Sequence, residues 1–119
     1  EKAMRTSLEA LGLRGYKTEF TFQRGYDSIV NHESGVKRIG EAAAAVLGEQ
    51  NVDLATEPAA WGEDFCYFIQ QRPGAFFMLG SGNKAKGIVE PLHSPRFDVD
   101  EDCLPLGAAI MTELVMRTK

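Results

Sequence analysis

Ala75-Phe76-Phe77-Met78-Leu79 is an unbroken apolar run set between Gly74 and Gly80, and it constrains the fold more than any other feature of the chain. Such a run fits a strand buried on both faces, the kind found in sheets that carry helices on each side, although its periodicity alone also admits a helix. A strand of this kind cannot stand by itself, because its backbone donors and acceptors need neighbouring strands. Residues 52–56 (Val-Asp-Leu-Ala-Thr) read as a second, short strand. Residues 16–23 alternate cleanly, with Tyr16, Thr18, Phe20 and Phe22 on one side and Lys17, Glu19, Thr21 and Gln23 on the other. That pattern belongs to a half-covered antiparallel sheet and so to a different layer.

Between these segments lie helical patterns. Met4, Leu8 and Leu11 form one stripe over residues 1–11, and Gly12 and Gly15 supply a stop. Val36, Ile39, Ala43, Val46 and Leu47 mark a helix over 33–47, with Asn31 available as its cap and Gly48 as its end. Phe65, Phe68 and Ile69 give a short helix over 63–71, closed by Pro73 and Gly74. A last helix runs over 103–117 with Leu106, Ala109, Ile110 and Leu114 inward. From residue 32 onward the order of elements is α-β-α-β-α, an α/β layer. The first 23 residues read as the tail of an antiparallel α+β unit, and the turn-forming stretch 24–31 links the two parts. One helix and one strand are too little for a unit of their own, so more chain is expected upstream, as a start at Glu1 instead of Met also implies.

Charge narrows the function. Thirteen Lys/Arg against seventeen Asp/Glu leave a net charge of −4, which argues against a nucleic-acid partner needing a basic face. No apolar stretch approaches the roughly 20 residues of a membrane span. Cys66 and Cys103 are too few for a disulfide framework and read as reduced packing thiols, which points to the cytoplasm.

Several residues invite chemistry, each against a plainer reading. His93 follows a glycine-rich loop and precedes Pro95; neutral imidazole is the commonest protein ligand for zinc-like ions, but one ligand is not a site, and from the residues alone a loop histidine bonded to a backbone carbonyl explains it better. Asp98-Val99-Asp100-Glu101-Asp102 opens like a calcium loop, then fails at Cys103 and Ala109, where that loop has glycine and glutamate. Carboxylates complementing the positive end of the following helix, with Asp102 as cap, account for it better. Glu63 and Asp64 read as dipole and capping residues ahead of the alternatives, a catalytic carboxylate or a distant metal ligand, and Trp61 as a packing residue. The loop 80–83 has backbone N–H groups able to cradle an anion and sits where α/β sheets place ligands, so Gly80 and Ser81 are candidate substrate contacts. Asn31 is a third, or simply the helix cap; His32 beside it reads as exposed.

Taken in order, Tyr26-Asp27-Ser28-Ile29-Val30-Asn31, Gly62-Glu63-Asp64-Phe65, Pro73-Gly74-Ala75-Phe76-Phe77-Met78-Leu79-Gly80, His93-Ser94-Pro95-Arg96-Phe97-Asp98 and Leu104-Pro105-Leu106-Gly107-Ala108-Ala109 closely resemble the C-terminal part of the M20 metallopeptidases. The nearest branch is the hippuricase and N-acyl-amino-acid amidohydrolase group. The resemblance implies the second half of a metallo-aminopeptidase-like α/β catalytic domain (32–119). It is preceded by the last helix and strand of a ferredoxin-like α+β lid and dimerisation domain (1–23) and by a return hinge (24–31). It also implies amide hydrolysis of N-acyl amino acids or small peptides by two divalent ions, zinc or manganese, and a homodimer. His93 is the one metal ligand it carries onto this sequence. The general base and the other ligands belong to earlier motifs that do not occur here, so no catalytic residue is assigned and this stretch alone is expected to be inactive. Trp61 stands where many relatives have glycine, which bears on the pocket at that helix start. A non-catalytic ligand- or partner-binding module derived from the same fold is the alternative.

Overall fold

Helix-forming sequence dominates the architecture. A computed structural model of the chain describes residues 2–12, 19, 21–59 and 62–117. Four α-helices appear in chain order: α1 (Lys2–Ala10), α2 (Glu33–Leu47), α3 (Phe65–Ile69) and α4 (Cys103–Met116). Two 3-10 turns, Glu49–Asn51 and Lys84–Lys86, lie between them. The alanine-rich centre of α2 is strong helix former, and Gly48 ends it at φ 85°, a left-handed conformation that glycine adopts without steric cost. Pro105 sits in the first turn of α4, where a missing N–H does no harm.

The core lies where α2 packs on α4, and α3 buries Cys66 and Ile69. Its buried members are few: Ala42, Ala43, Cys66, Ile69, Cys103 and Ile110. Close approach depends on glycine at Gly35, where an added Cβ would stand 3.0 Å from both Ala75 Cβ and the Gly74 carbonyl carbon. The two cysteines are free and buried, as packing thiols should be. Much apolar surface stays open. The chain exposes 10200 Å², whereas a compact fold of its mass would expose about 6400 Å². Phe68, Leu104, Val115 and Met116 are each at least 60% exposed.

Helix positions agree with the periodicity to within two residues for α1, α2 and α4, and α3 is shorter than the expected 63–71. Several finer expectations need correction. Leu106 and Phe68 are exposed, and Cys103 and Cys66 take the buried places on their helices. Asn31 does not cap α2, whose N-cap position is His32 with no side-chain cap bond, and Asp102 does not cap α4.

The strands differ most. Residues 13–18 and 20 lie outside the described residues, and half of the strand expected over 16–23 falls there; the described residues 19 and 21–23 carry no strand. The short strand expected over 52–56 is a turn, because the Asp53 carboxylate accepts the Ala55 N–H at 2.9 Å and gives the backbone a local partner. Residues 75–79 carry no helix and belong to no ladder. Among the described residues there is no strand, only an isolated antiparallel bridge between Asn83 and Ile88. A ladder requires repeated backbone bonds from a second strand; residues 31–32, which lie beside 74–76, supply a single backbone bond, His32 N–H to the Gly74 carbonyl.

Candidate functional site

Residues 75–80 form one wall of an open groove. Val36, Ile39 and Ala43 of α2 line another side, with Leu54 and Ile110 closing it, and the enclosed volume is about 650 Å³. The apolar stripe read from the sequence of α2 is therefore real, but most of it faces this groove instead of a closed core. Carboxylates of Asp27, Asp53, Glu57 and Glu63 stand among the lining residues. Glu63 Oε1 accepts the Phe65 N–H at 3.4 Å, a capping contact at the entry to α3.

Asn31 and Gly80 both line the groove; Ser81 and His93 do not. The Asn31 amide is committed to backbone. Its Nδ2 donates to the Phe76 carbonyl at 2.9 Å and its Oδ1 accepts the Phe76 N–H at 2.8 Å. In this way one side chain imitates a residue of a neighbouring strand, which would exchange the same two bonds. Next to it, the His32 N–H donates to the Gly74 carbonyl at 3.0 Å, and the Gly74 N–H donates to His32 Nδ1 at 3.2 Å. His32 is exposed as expected, yet its ring and backbone fasten the start of α2 to Gly74. Further back, Asp27 accepts from Gln70 at 3.1 Å and the Tyr26 and Tyr67 rings meet edge-on at 6.0 Å. Sequence reasoning missed this fastening of 26–32. Polar side chains in a linker carry no periodic signal to reveal their partners.

His93 lies in the loop before α4. Its φ of 68° is the only positive value at a non-glycine among the described residues. The Ser94 N–H donates to the Pro91 carbonyl at 3.1 Å, so Pro91 to Ser94 make a turn with positive φ at the third place alone, the arrangement of a type II turn. Glycine normally takes that place, and histidine there costs about 1–2 kcal/mol of backbone strain. The neighbourhood holds it. Glu90 accepts from Ser94 Oγ at 3.2 Å and pairs with Arg96 at 2.7 Å, and Ser94 Oγ accepts the Arg96 N–H at 3.2 Å. The exposed imidazole is free to act as a base, a donor or a ligand. Among the described residues no three His, Cys, Asp or Glu groups converge to hold a metal ion. His93 thus offers one donor of suitable chemistry, and the described residues do not complete a metal site around it. Trp61 lies outside the described residues.

The acidic run has a different use from the two considered. Asp100, whose side chain is 12% exposed, accepts Lys86 Nζ at 2.6 Å and Asn83 Nδ2 at 2.6 Å, while its own N–H donates to the Ser81 carbonyl at 2.8 Å. Lys86 also reaches Asp102 at 2.8 Å. The hydrogen bonds from Lys86 and then Asn83 hold the Asp100 carboxyl down from its ordinary 3.8 to about 2. The same two carboxylates, Asp100 first, raise Lys86.

The sequence profile of peptidase family M20/M25/M40 matches residues 5–117. A thermostable carboxypeptidase 1 of Saccharolobus solfataricus is 37% identical over 107 residues, covering 89% of this chain and 26% of its own. A putative amidohydrolase YhaA of Bacillus subtilis is 31% identical over 99 residues, covering 83% and 25%. An IAA-amino acid hydrolase ILR1-like 6 of Arabidopsis thaliana is 32% identical over 92 residues, covering 77% and 20%. The chain therefore spans about a quarter of the length of the curated relatives it matches. No solved structure matches. Among the described residues no helix is long and apolar enough to cross a membrane.

Proposed function

Because this chain belongs to peptidase family M20/M25/M40, we propose that the complete protein is a metal-dependent amidohydrolase cleaving the amide bond of N-acyl amino acids or short peptides. Enzymes of the family are generally metal-dependent. In this reading residues 32–119 are the second half of the catalytic domain, residues 1–23 the end of the lid and dimerisation domain, and 24–31 the hinge. Two zinc or manganese ions serve the complete enzyme, and this stretch contributes His93. Asn31, Gly80 and Ser81 border the substrate, Asn31 chiefly by holding the backbone at Phe76 in place. The general base lies in other parts of the protein, so residues 1–119 alone turn nothing over. A homodimer and a cytoplasmic home complete the proposal, the latter supported by two buried free thiols.

The observation that carries the reading is the left-handed backbone at His93. A strained conformation persists only where its surroundings enforce it, and such residues concentrate at working sites. Here a turn, an ion pair and a hydroxyl bridge enforce it around an imidazole that is otherwise exposed.

The test uses the complete protein with His93→Gly and His93→Ala. Glycine suits a φ of 68°, so His93→Gly removes the imidazole without disturbing the loop. The expected result is loss of hydrolysis across a panel of N-acyl amino acids and loss of bound metal by elemental analysis, with thermal stability kept. Full activity and metal content in His93→Gly would overturn the assignment and leave the non-catalytic module as the better reading.

A further inference from the structure

Loops are held by what happens at their base, and the loop bearing His93 is closed by a contact that the proposed chemistry does not use. Residues 87–99 leave the short 3-10 turn Lys84–Lys86 and return just before α4. At that base Lys86 Nζ meets Asp100 Oδ1 at 2.6 Å and Asp102 Oδ2 at 2.8 Å. Asn83 occupies the centre. Its Oδ1 accepts the Ala85 and Lys86 N–H groups at 3.0 and 3.3 Å, its backbone bridges Ile88, and its Nδ2 gives Asp100 a second bond.

We propose that Lys86 and Asp100 are positioning residues: their contact staples the base of the 87–99 loop and so fixes where His93 is presented. This rests on the reading of His93 as a working residue. An isolated surface ion pair does little, because water screens it and two long side chains must be ordered. The present pair differs in three ways. Asp100 is largely covered, with side-chain exposure of 12%. Both its carboxylate oxygens and its N–H are engaged, and the partner Asn83 is itself fixed by four hydrogen bonds to neighbouring backbone. The groups joined lie 14 residues apart in sequence, so the contact removes the freedom of everything between them. The Ser81 rim is tied separately, through the Asp100 N–H, a backbone bond that survives loss of the lysine.

That separation sets the experiment. In the complete protein, Lys86→Met, Lys86→Arg and wild type are compared by hydrogen exchange of peptides covering 87–99 and, as control, α2. The variants are also compared by kcat and KM on an N-acyl amino acid that the wild type hydrolyses. Lys86→Met is expected to speed exchange over 87–99 about tenfold, leave α2 unchanged, lower kcat about tenfold and hold KM within twofold, since the Ser81 tie remains. Lys86→Arg, which keeps the charge and the reach, restores most of each. Asp100→Asn carries the same expectation should Lys86→Met not accumulate. Unchanged exchange over 87–99 overturns the staple. So does exchange that rises equally in α2, which makes the pair a general stabiliser, or a raised KM at constant kcat, which places it at the substrate. A wild type without amide hydrolysis overturns the reading of His93, while the exchange result still decides whether the staple exists.

Discussion

Asn31 offers the sharpest separation between holding backbone and holding substrate. Its amide makes two bonds to one residue, at 2.9 Å to the Phe76 carbonyl and 2.8 Å from the Phe76 N–H. Each such bond contributes about 0.5–1.5 kcal/mol net. Both are reachable by solvent, so water replaces part of what is lost, and Asn31→Ala should cost about 1–2 kcal/mol locally. The effect concentrates on the Phe76 amide, whose hydrogen exchange should accelerate by about tenfold, the equivalent of some 1.4 kcal/mol. Asn31→Asp is the more telling change. It keeps an acceptor for the Phe76 N–H but turns an anionic oxygen towards the Phe76 carbonyl, so at neutral pH it should be no better than alanine. Below about pH 4 the introduced carboxyl regains an O–H that can donate, and the deficit should shrink. The assay is exchange over 73–80 with KM measured in parallel. A raised KM in Asn31→Ala with exchange over 73–80 unchanged would refute the reasoning, because the amide would then be serving the ligand and not the chain.

Other outcomes follow from the same contacts. Gly35→Ala should destabilise by about 1–2 kcal/mol, since the new methyl meets backbone of residues 74–75 at 3.0 Å and overpacking exceeds the gain in helix propensity; Gly107→Ala, which meets only the Leu79 Cδ2 tip, should be neutral or better, and thermal unfolding of both variants checks the contrast. Ile110→Ala removes the largest fully buried aliphatic side chain and should cost about 2–4 kcal/mol by the same measurement. The Asp100 carboxyl, held near 2, makes its contribution in full above the ordinary carboxylate range and loses it as the pH falls towards 2. Lys86, being raised, keeps its side of the contact throughout the ordinary lysine range and loses it only above. Carbon-detected titration of Asp100 with a midpoint at 3.8 would contradict the contact.

Local pattern alone determined α1, α2 and α4, the stops at Gly12 and Gly48, and His93 as the residue to examine. Helices are legible this way because their hydrogen bonds close within a few residues and their apolar stripes repeat every turn. Strand pairing is decided by chain far away in sequence. Residues 75–79 are therefore unladdered, and 52–56, given a local partner in Asp53, became a turn. Tertiary contact also reassigned the polar side chains. Asn31 left the helix cap for Phe76, and Asp100 and Asp102 left the α4 terminus for Lys86. The Pro91–Ser94 turn forced a histidine into a glycine's conformation. Hydroxyl, amide and carboxylate groups accept many partners of similar energy, so position in three dimensions, and not residue type, chooses among them.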